Sequence, residues 1–307
     1  MNLILILIIV SMYVLFISRS KVLGKFLYTQ FMNLERKRAK LHNEIVVVDD
    51  VPITLYRSNE FKQDKPTLLL LHGFSADKSI WHRFAMQAKD DYNLVIPDML
   101  GHGDTPYSVE QSYSTLAQTA MLMKLLSQLK ITQYSVIGNS MGGMIAMRLL
   151  LQDGERLAKA VLLDPAGVKS EFAMQRAEKN MNPFLIPEVA DFFAFYNKSM
   201  ARPPFAPPSV LHYVGEVNYV QKYKQFAHMF RDFFNMDEFF DTPFEVDASR
   251  LKIIWGEKDQ LLPVADSKLW ATLSGCQADI YPNIGHMPMV ECTKVTYDDC
   301  HHFIHER

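Results

Sequence analysis

The chain has 307 residues, 49% hydrophobic and 21% charged, which is enough apolar material for a full core and excludes a disordered chain. A formal net charge of −2 and a pI near 6.6 give no electrostatic case for nucleic acid, whose binders present a basic patch. The three cysteines, Cys276, Cys292 and Cys300, form no C-x-x-C pair and suggest neither a disulfide framework nor a zinc ribbon; free thiols are expected, with one Cys276–Cys300 or Cys292–Cys300 bridge left open.

Residues 1–18 carry no charged side chain and as a helix would span about 27 Å, close to the roughly 30 Å of a bilayer's hydrocarbon core. Neither a basic start nor a small-x-small cleavage site is present, so an uncleaved single-pass anchor is expected rather than a signal peptide. Arg19, Lys21, Lys25, Arg36, Lys37, Arg38 and Lys40 all follow the apolar run, which by the positive-inside bias puts the rest of the chain on the cytoplasmic side. Residues 19–43 form a basic linker, and the mixed apolar and basic pattern of 22–35 suits a helix lying along a membrane surface or packed on the following domain.

An α/β core is expected over 44–167 and 248–307. Glu44 to Arg57 reads as two strands joined by Asp49-Asp50. Thr67–Leu71 is a continuous apolar run, the pattern of a strand covered on both faces, and it ends in His72-Gly73-Phe74. A short helix around 80–89 precedes a strand at 92–97, and Ser114 to Leu129 has helical spacing. Further strands are predicted from Tyr134, at 159–164, at 251–255 and, more weakly, at 278–281. This alternation predicts right-handed βαβ units in a doubly wound, mostly parallel sheet. Between 168 and 247 no strand is legible; this stretch, rich in Phe, Tyr, Met and Pro, is expected to be a helical cap, or lid, over the active end. Phe184, Phe192, Phe193, Phe195, Phe205, Phe226, Met229 and Phe230 are candidates to line an acyl-chain pocket, or else to form the cap's own core.

The strand from Tyr134 runs into Gly138-Asn139-Ser140-Met141-Gly142-Gly143, followed by helically spaced apolar residues. This is the context of a nucleophile elbow, a turn so sharp that only glycine fits on either side of the serine. A serine hydroxyl needs a histidine to take its proton and a carboxylate to orient that histidine. In doubly wound enzymes the chain order is Ser, acid, His, which selects Ser140 as nucleophile, Asp259 as acid and His286 as base. Asp164 also ends a strand and is the rival acid; Glu257 lies too near the Gly256 turn. The backbone N–H groups of Phe74 and Met141 are the expected oxyanion donors. His72 is expected to pack beneath its loop. His301, His302 and His305 share a helix but lack the carboxylate or cysteine company of a metal site, and no metal is expected.

From about Glu44 onward the chain resembles the α/β-hydrolase superfamily. His72-Gly73-Phe74, the Ser140 elbow, Leu163-Asp164-Pro165-Ala166-Gly167 and Gly285-His286-Met287 look like motifs of its lipase and esterase branch, which includes bacterial lipases and membrane-anchored monoacylglycerol lipases. The resemblance implies a serine carboxylic ester hydrolase with a helical cap, a lipid or small ester substrate, and no cofactor. Hydrolases that split carbon–carbon bonds of ring-fission products share the elbow sequence, but Phe74-Ser75-Ala76 departs from their longer glycine run. Ser140 argues against halide- and epoxide-processing relatives, which carry an aspartate there. A membrane-tethered binding protein without turnover is the rival from another class.

Overall fold

The computed structural model describes residues 19–306, so the expected anchor at 1–18 lies outside the described residues. Eight strands form one sheet: β1 (Leu41–Val48), β2 (Val51–Ser58), β3 (Thr67–Leu71), β4 (Asn93–Pro97), β5 (Tyr134–Asn139), β6 (Leu157–Leu163), β7 (Leu251–Gly256) and β8 (Ala278–Tyr281). Their spatial order is β1-β2-β4-β3-β5-β6-β7-β8. The first hairpin and the β2–β4 pair are antiparallel, and β4, β3, β5, β6, β7 and β8 run parallel. Asp49 and Asp50 both adopt positive φ, as a tight two-residue hairpin turn requires.

Side-chain alternation along the buried strands builds two cores. Leu69 and Leu71 face one side, against α3 (Thr115–Gln128) and α4 (Met141–Gln152); Leu68 and Leu70 face the other, against α2 (His82–Ala88) and α11 (Thr293–His305). Burying one such leucine contributes about 1.5–3 kcal/mol, and all four are fully buried. This two-sided cover explains why β3 reads as an unbroken apolar run.

Between β6 and β7 lie α5 (Glu171–Glu178), α6 (Val189–Ser199), α7 (Pro208–Val214), a π-helical segment (Gly215–Val220) and α8 (Tyr223–Phe233). The remaining helices are α9 (Asp266–Ser274) and α10 (Pro288–Glu291). The amino-terminal helix α1 (Lys21–Arg38) starts on Ser20, whose hydroxyl accepts from the Leu23 amide, and ends on three basic residues that suit its dipole. It is pinned to the domain. A Cβ on Gly24 would stand 2.1 Å from the Ser209 carbonyl oxygen of α7, and Arg83 of α2 donates to Glu35 at 3.0 Å. Its other side leaves Val22, Phe26 and Phe31 exposed, and β1 begins at Leu41, inside the stretch expected to be linker. Among the described residues no helix is long and apolar enough to cross a membrane. All three cysteines are free thiols.

Chain order reverses at β3: β4 lies on one side of it and β5 on the other. The loops leaving the carboxyl ends of β3 and β5 therefore part and leave a crevice, the place where open α/β sheets bind ligands.

Candidate active site

β5 ends at Asn139, and α4 begins at Met141, leaving Ser140 alone in the turn with φ 56° and ψ −117°. A non-glycine residue holds such a backbone only when its surroundings impose it. Here they do. A Cβ on Gly138 would lie 2.0 Å from the Gly142 oxygen, and one on Gly142 would lie 2.4 Å from the Leu71 oxygen. Gly142→Ala is expected to cost about 1–3 kcal/mol or more in stability, because the clash is with backbone. A chemical denaturation midpoint equal to wild type would show that the turn relaxes freely.

The loop after β3 closes against the serine: a Cβ on Gly73 would be 3.1 Å from the Ser140 Cβ. Phe74 follows, and among the described residues neither its amide nor that of Met141 donates to a protein acceptor. The Met141 amide is an unsatisfied N–H of the first helical turn, with the positive end of the α4 dipole behind it. His72 is a spacer beneath the loop. Its Nε2 accepts from the Met99 amide at 3.0 Å, its Nδ1 donates to the Gly73 oxygen at 2.8 Å, and burial lowers its pKa.

His286 and Asp259 arrive from loops after β8 and β7. Asp259 Oδ2 accepts from His286 Nδ1 at 2.6 Å, while Oδ1 accepts from the amides of Leu261 and Leu262 at 2.7 and 3.0 Å. A carboxylate offers no hydrogen, so Nδ1 carries it and Nε2 is left as an acceptor. Glu257 is engaged elsewhere, accepting from the Asn283 amide. Ser140 and His286 line one cavity of about 80 Å³ with Phe74, Phe184, Phe195 and Tyr219. Among the described residues, the hydrogen bonds of His286 run to Asp259, Asn139 and Ser199, and none runs to Ser140.

Two residues not singled out from the sequence hold this loop. The Asn139 side-chain amide donates to the carbonyls of His286 (2.9 Å) and Leu163 (3.2 Å), tying the histidine loop to the elbow. Glu291 accepts from the amides of Gly285 (3.0 Å), Met287 (3.3 Å) and Arg202 (2.8 Å), gripping the loop on both sides of the imidazole. A third unforeseen element is the buried pair of Lys78 and Asp98. Lys78 Nζ lies 2.5 Å from Asp98 Oδ2, and the same carboxylate accepts from the Asp104 amide and the Thr54 hydroxyl, fastening the loop after β4 beneath the Phe74 loop.

A second cavity, of about 300 Å³, adjoins the first and shares Ser75, Ala76, Ile80, Phe195, Ser199, Tyr219 and Met287 with it. Its walls include Tyr28, Met32 and Glu35 of α1, none of which was expected at the site, together with Phe192 and Phe205. Of the aromatic pocket candidates, Phe184 and Phe195 reach the serine's cavity, while Phe192, Phe195 and Phe205 reach the larger one. Phe193, Phe226, Met229 and Phe230 line neither of these two. Phe226, Met229 and Phe230 are buried, and both phenylalanines pack on the Phe74 ring, so the apolar face of α8 serves as core against the loop after β3. Phe193 packs against Phe192.

The His301 ring stacks on Tyr297, meets Tyr92 edge-on and lies tilted against His305, and His302 pairs with Glu306. Among the described residues the single grouping with metal-ligand spacing is Asp164, Asp259 and His286. His286 Nδ1 spends its hydrogen on Asp259 Oδ2 at 2.6 Å, so that nitrogen has no lone pair to offer an ion.

A mostly parallel sheet carrying a strained serine between β5 and α4, with a carboxylate and an imidazole delivered from the last two strand ends, defines the α/β-hydrolase class. The chain belongs to that family: the family model described as alpha/beta hydrolase fold matches residues 66–306. Lipase 1 of Psychrobacter immobilis is 28% identical over 278 residues, covering 88% of this chain and 86% of that one. Monoacylglycerol lipase abhd6-B of Xenopus laevis is 27% identical over 243 residues, covering 74% and 72%. The crystal structure of a bacterial membrane phospholipase A superposes with a TM-score of 0.79 at 25% identity, covering 98% of this chain and 96% of that one.

Proposed function

We propose that the chain is a serine hydrolase of carboxylic esters, acting on acylglycerol-type lipids through an acyl-enzyme. The observation that carries this reading is the Asp259–His286 hydrogen bond at 2.6 Å on the rim of the cavity that Ser140 lines. In the proposed cycle Ser140 Oγ attacks the ester carbonyl carbon and its proton passes to His286 Nε2. The carbonyl electrons move onto oxygen, which the Phe74 and Met141 amides receive; losing one such donor typically costs about 3 kcal/mol. Collapse expels the alcohol, which takes the proton from His286, and water repeats the sequence to free the acid.

The apolar second cavity is the proposed acyl-chain site, entered past Phe195 and Tyr219, and the helices between β6 and β7 are the proposed lid. The proposed place of work is a membrane, with residues 1–18 as anchor. The uncharged composition of that segment, the exposed phenylalanines of α1 and the likeness to a membrane phospholipase A support it. A carbon–carbon hydrolase would need a free cation for its substrate's carboxylate; among the described residues no lysine or arginine lines the serine's cavity, and Arg83 of the larger one is paired with Glu35.

A panel of p-nitrophenyl esters and a monoacylglycerol, assayed with the full chain in detergent micelles, tests the reading. Medium- or long-chain esters are expected to exceed acetate in kcat/KM at least tenfold, a margin of about 1.4 kcal/mol or roughly two buried methylenes. Hydrolysis of acetate alone would end the lipid assignment, and no ester hydrolysis at all would end the whole of it.

A further inference from the structure

We infer that Asp164 is a positioning residue: a neutral carboxylic acid that donates its hydrogen to the Asp259 carboxylate and so fixes the group that orients His286. This deepens the proposed function and rests on Asp259 being the orienting acid.

Asp164 directly follows β6 with a positive φ of 45° and is fully buried. Its Oδ1 accepts from the Gly256 amide at 2.7 Å, but its Oδ2 is buried without any hydrogen-bond partner among the described residues. A carboxyl oxygen of Asp164 lies within 4.8 Å of one from Asp259 and of a ring nitrogen of His286. Two carboxylates this close in a dry site do not both ionise. The donors decide which one holds the proton. Asp259 accepts from three N–H groups, those of His286, Leu261 and Leu262, whereas Asp164 accepts from one. Each N–H donor stabilises the charged form, so the charge stays on Asp259. A proton on Asp164 Oδ2 then turns an orphaned acceptor into a donor available to the neighbouring Asp259 carboxylate.

Burial first, and the neighbouring Asp259 charge second, push the Asp164 carboxyl well above the ordinary carboxylate range. The other titratable groups facing it are Glu291, already held by backbone amides, and the Cys292 thiol, itself raised by burial. Among these described groups there is no lysine or arginine.

The test compares Asp164→Asn and Asp164→Ala in ester hydrolysis across pH. Asparagine keeps one acceptor for Gly256 and one donor for Asp259. It is expected to retain kcat within about threefold and to leave the acid limb of kcat/KM where it was. Alanine removes the donor and is expected to lower kcat about 10- to 100-fold with KM little changed, the usual cost of a lost hydrogen bond to a charged group. Two outcomes overturn the inference: an Asp164→Asn enzyme crippled to the level of Asp259→Asn, or one whose acid limb moves to lower pH because a negative charge near His286 has gone. Wild-type turnover in Asp164→Ala overturns it as well. Infrared spectroscopy of the wild type gives a reading independent of variant folding. A protonated-carboxyl C=O band is expected to persist at pH 8, where Asp266, raised to about 6 by burial, has ionised; absence of the band overturns the proposal. Full turnover in Asp259→Asn would instead sink the reading on which this one rests.

Discussion

Ser140→Ala is expected to reduce ester hydrolysis by about 10⁴-fold or more in kcat while leaving the melting temperature close to wild type. The hydroxyl is the atom that forms the acyl-enzyme, so no neighbouring group takes its place, and what survives is background catalysis by the oxyanion donors and binding. Stability is expected to hold because the strain of the turn resides in backbone angles that the glycines at 138 and 142 permit, and alanine keeps the same Cβ. The measurement is kcat on a p-nitrophenyl ester beside a thermal melt. Retention of more than about a tenth of wild-type turnover would assign the chemistry to another residue.

Asp259→Asn is expected to be nearly as damaging, lowering kcat by about 10⁴-fold. An asparagine at this position turns one acceptor into a donor. Because Oδ1 is already claimed by the Leu261 and Leu262 amides, the atom placed against His286 Nδ1 becomes the NH₂ group. The ring must then carry its hydrogen on Nε2, where the base is needed, and proton abstraction from Ser140 stops. A loss below about tenfold in the pH-independent region would contradict this account of the carboxylate. The pattern separates Asp259 from Asp164, whose asparagine variant is expected to work.

Much of this arrangement was legible in the amino-acid sequence, for reasons that differ from element to element. β3 and β8 have the predicted bounds, and the hairpin turns at Asp49-Asp50 as expected, because strand burial and turn chemistry leave local patterns. Ser140 is marked by its flanking glycines, which a close backbone approach demands. Asp259 and His286 were legible as polar residues just past apolar strands, and they stand hydrogen-bonded in the structure. Asn139 and Glu291 carry no such mark. Each is a single polar residue whose partners are far away in the chain, and periodicity says nothing about a lone hydrogen bond. Lys78 and Asp98, buried 20 residues apart in sequence, escaped for the same reason.

The aromatic residues between β6 and β7 show a further limit. A stripe of apolar positions on α8 announces a buried face without saying what lies against it. Here that face meets the Phe74 ring, so Phe226 and Phe230 became core where a pocket lining was equally open. The reverse happened with α1. Its mixed pattern left open a membrane-surface helix or one packed on the domain; Gly24 seats it on α7 and Tyr28 and Met32 wall the larger cavity, while Val22, Phe26 and Phe31 stay exposed.

The most direct test of the central claim is chemical. A fluorophosphonate probe reacts with a serine only where a base withdraws its proton and an oxyanion site receives the charge. Mass spectrometry of the labelled full chain is expected to find one adduct, on Ser140, lost in Asp259→Asn and in His286→Ala. An unlabelled protein, or an adduct on a different serine, would contradict the account.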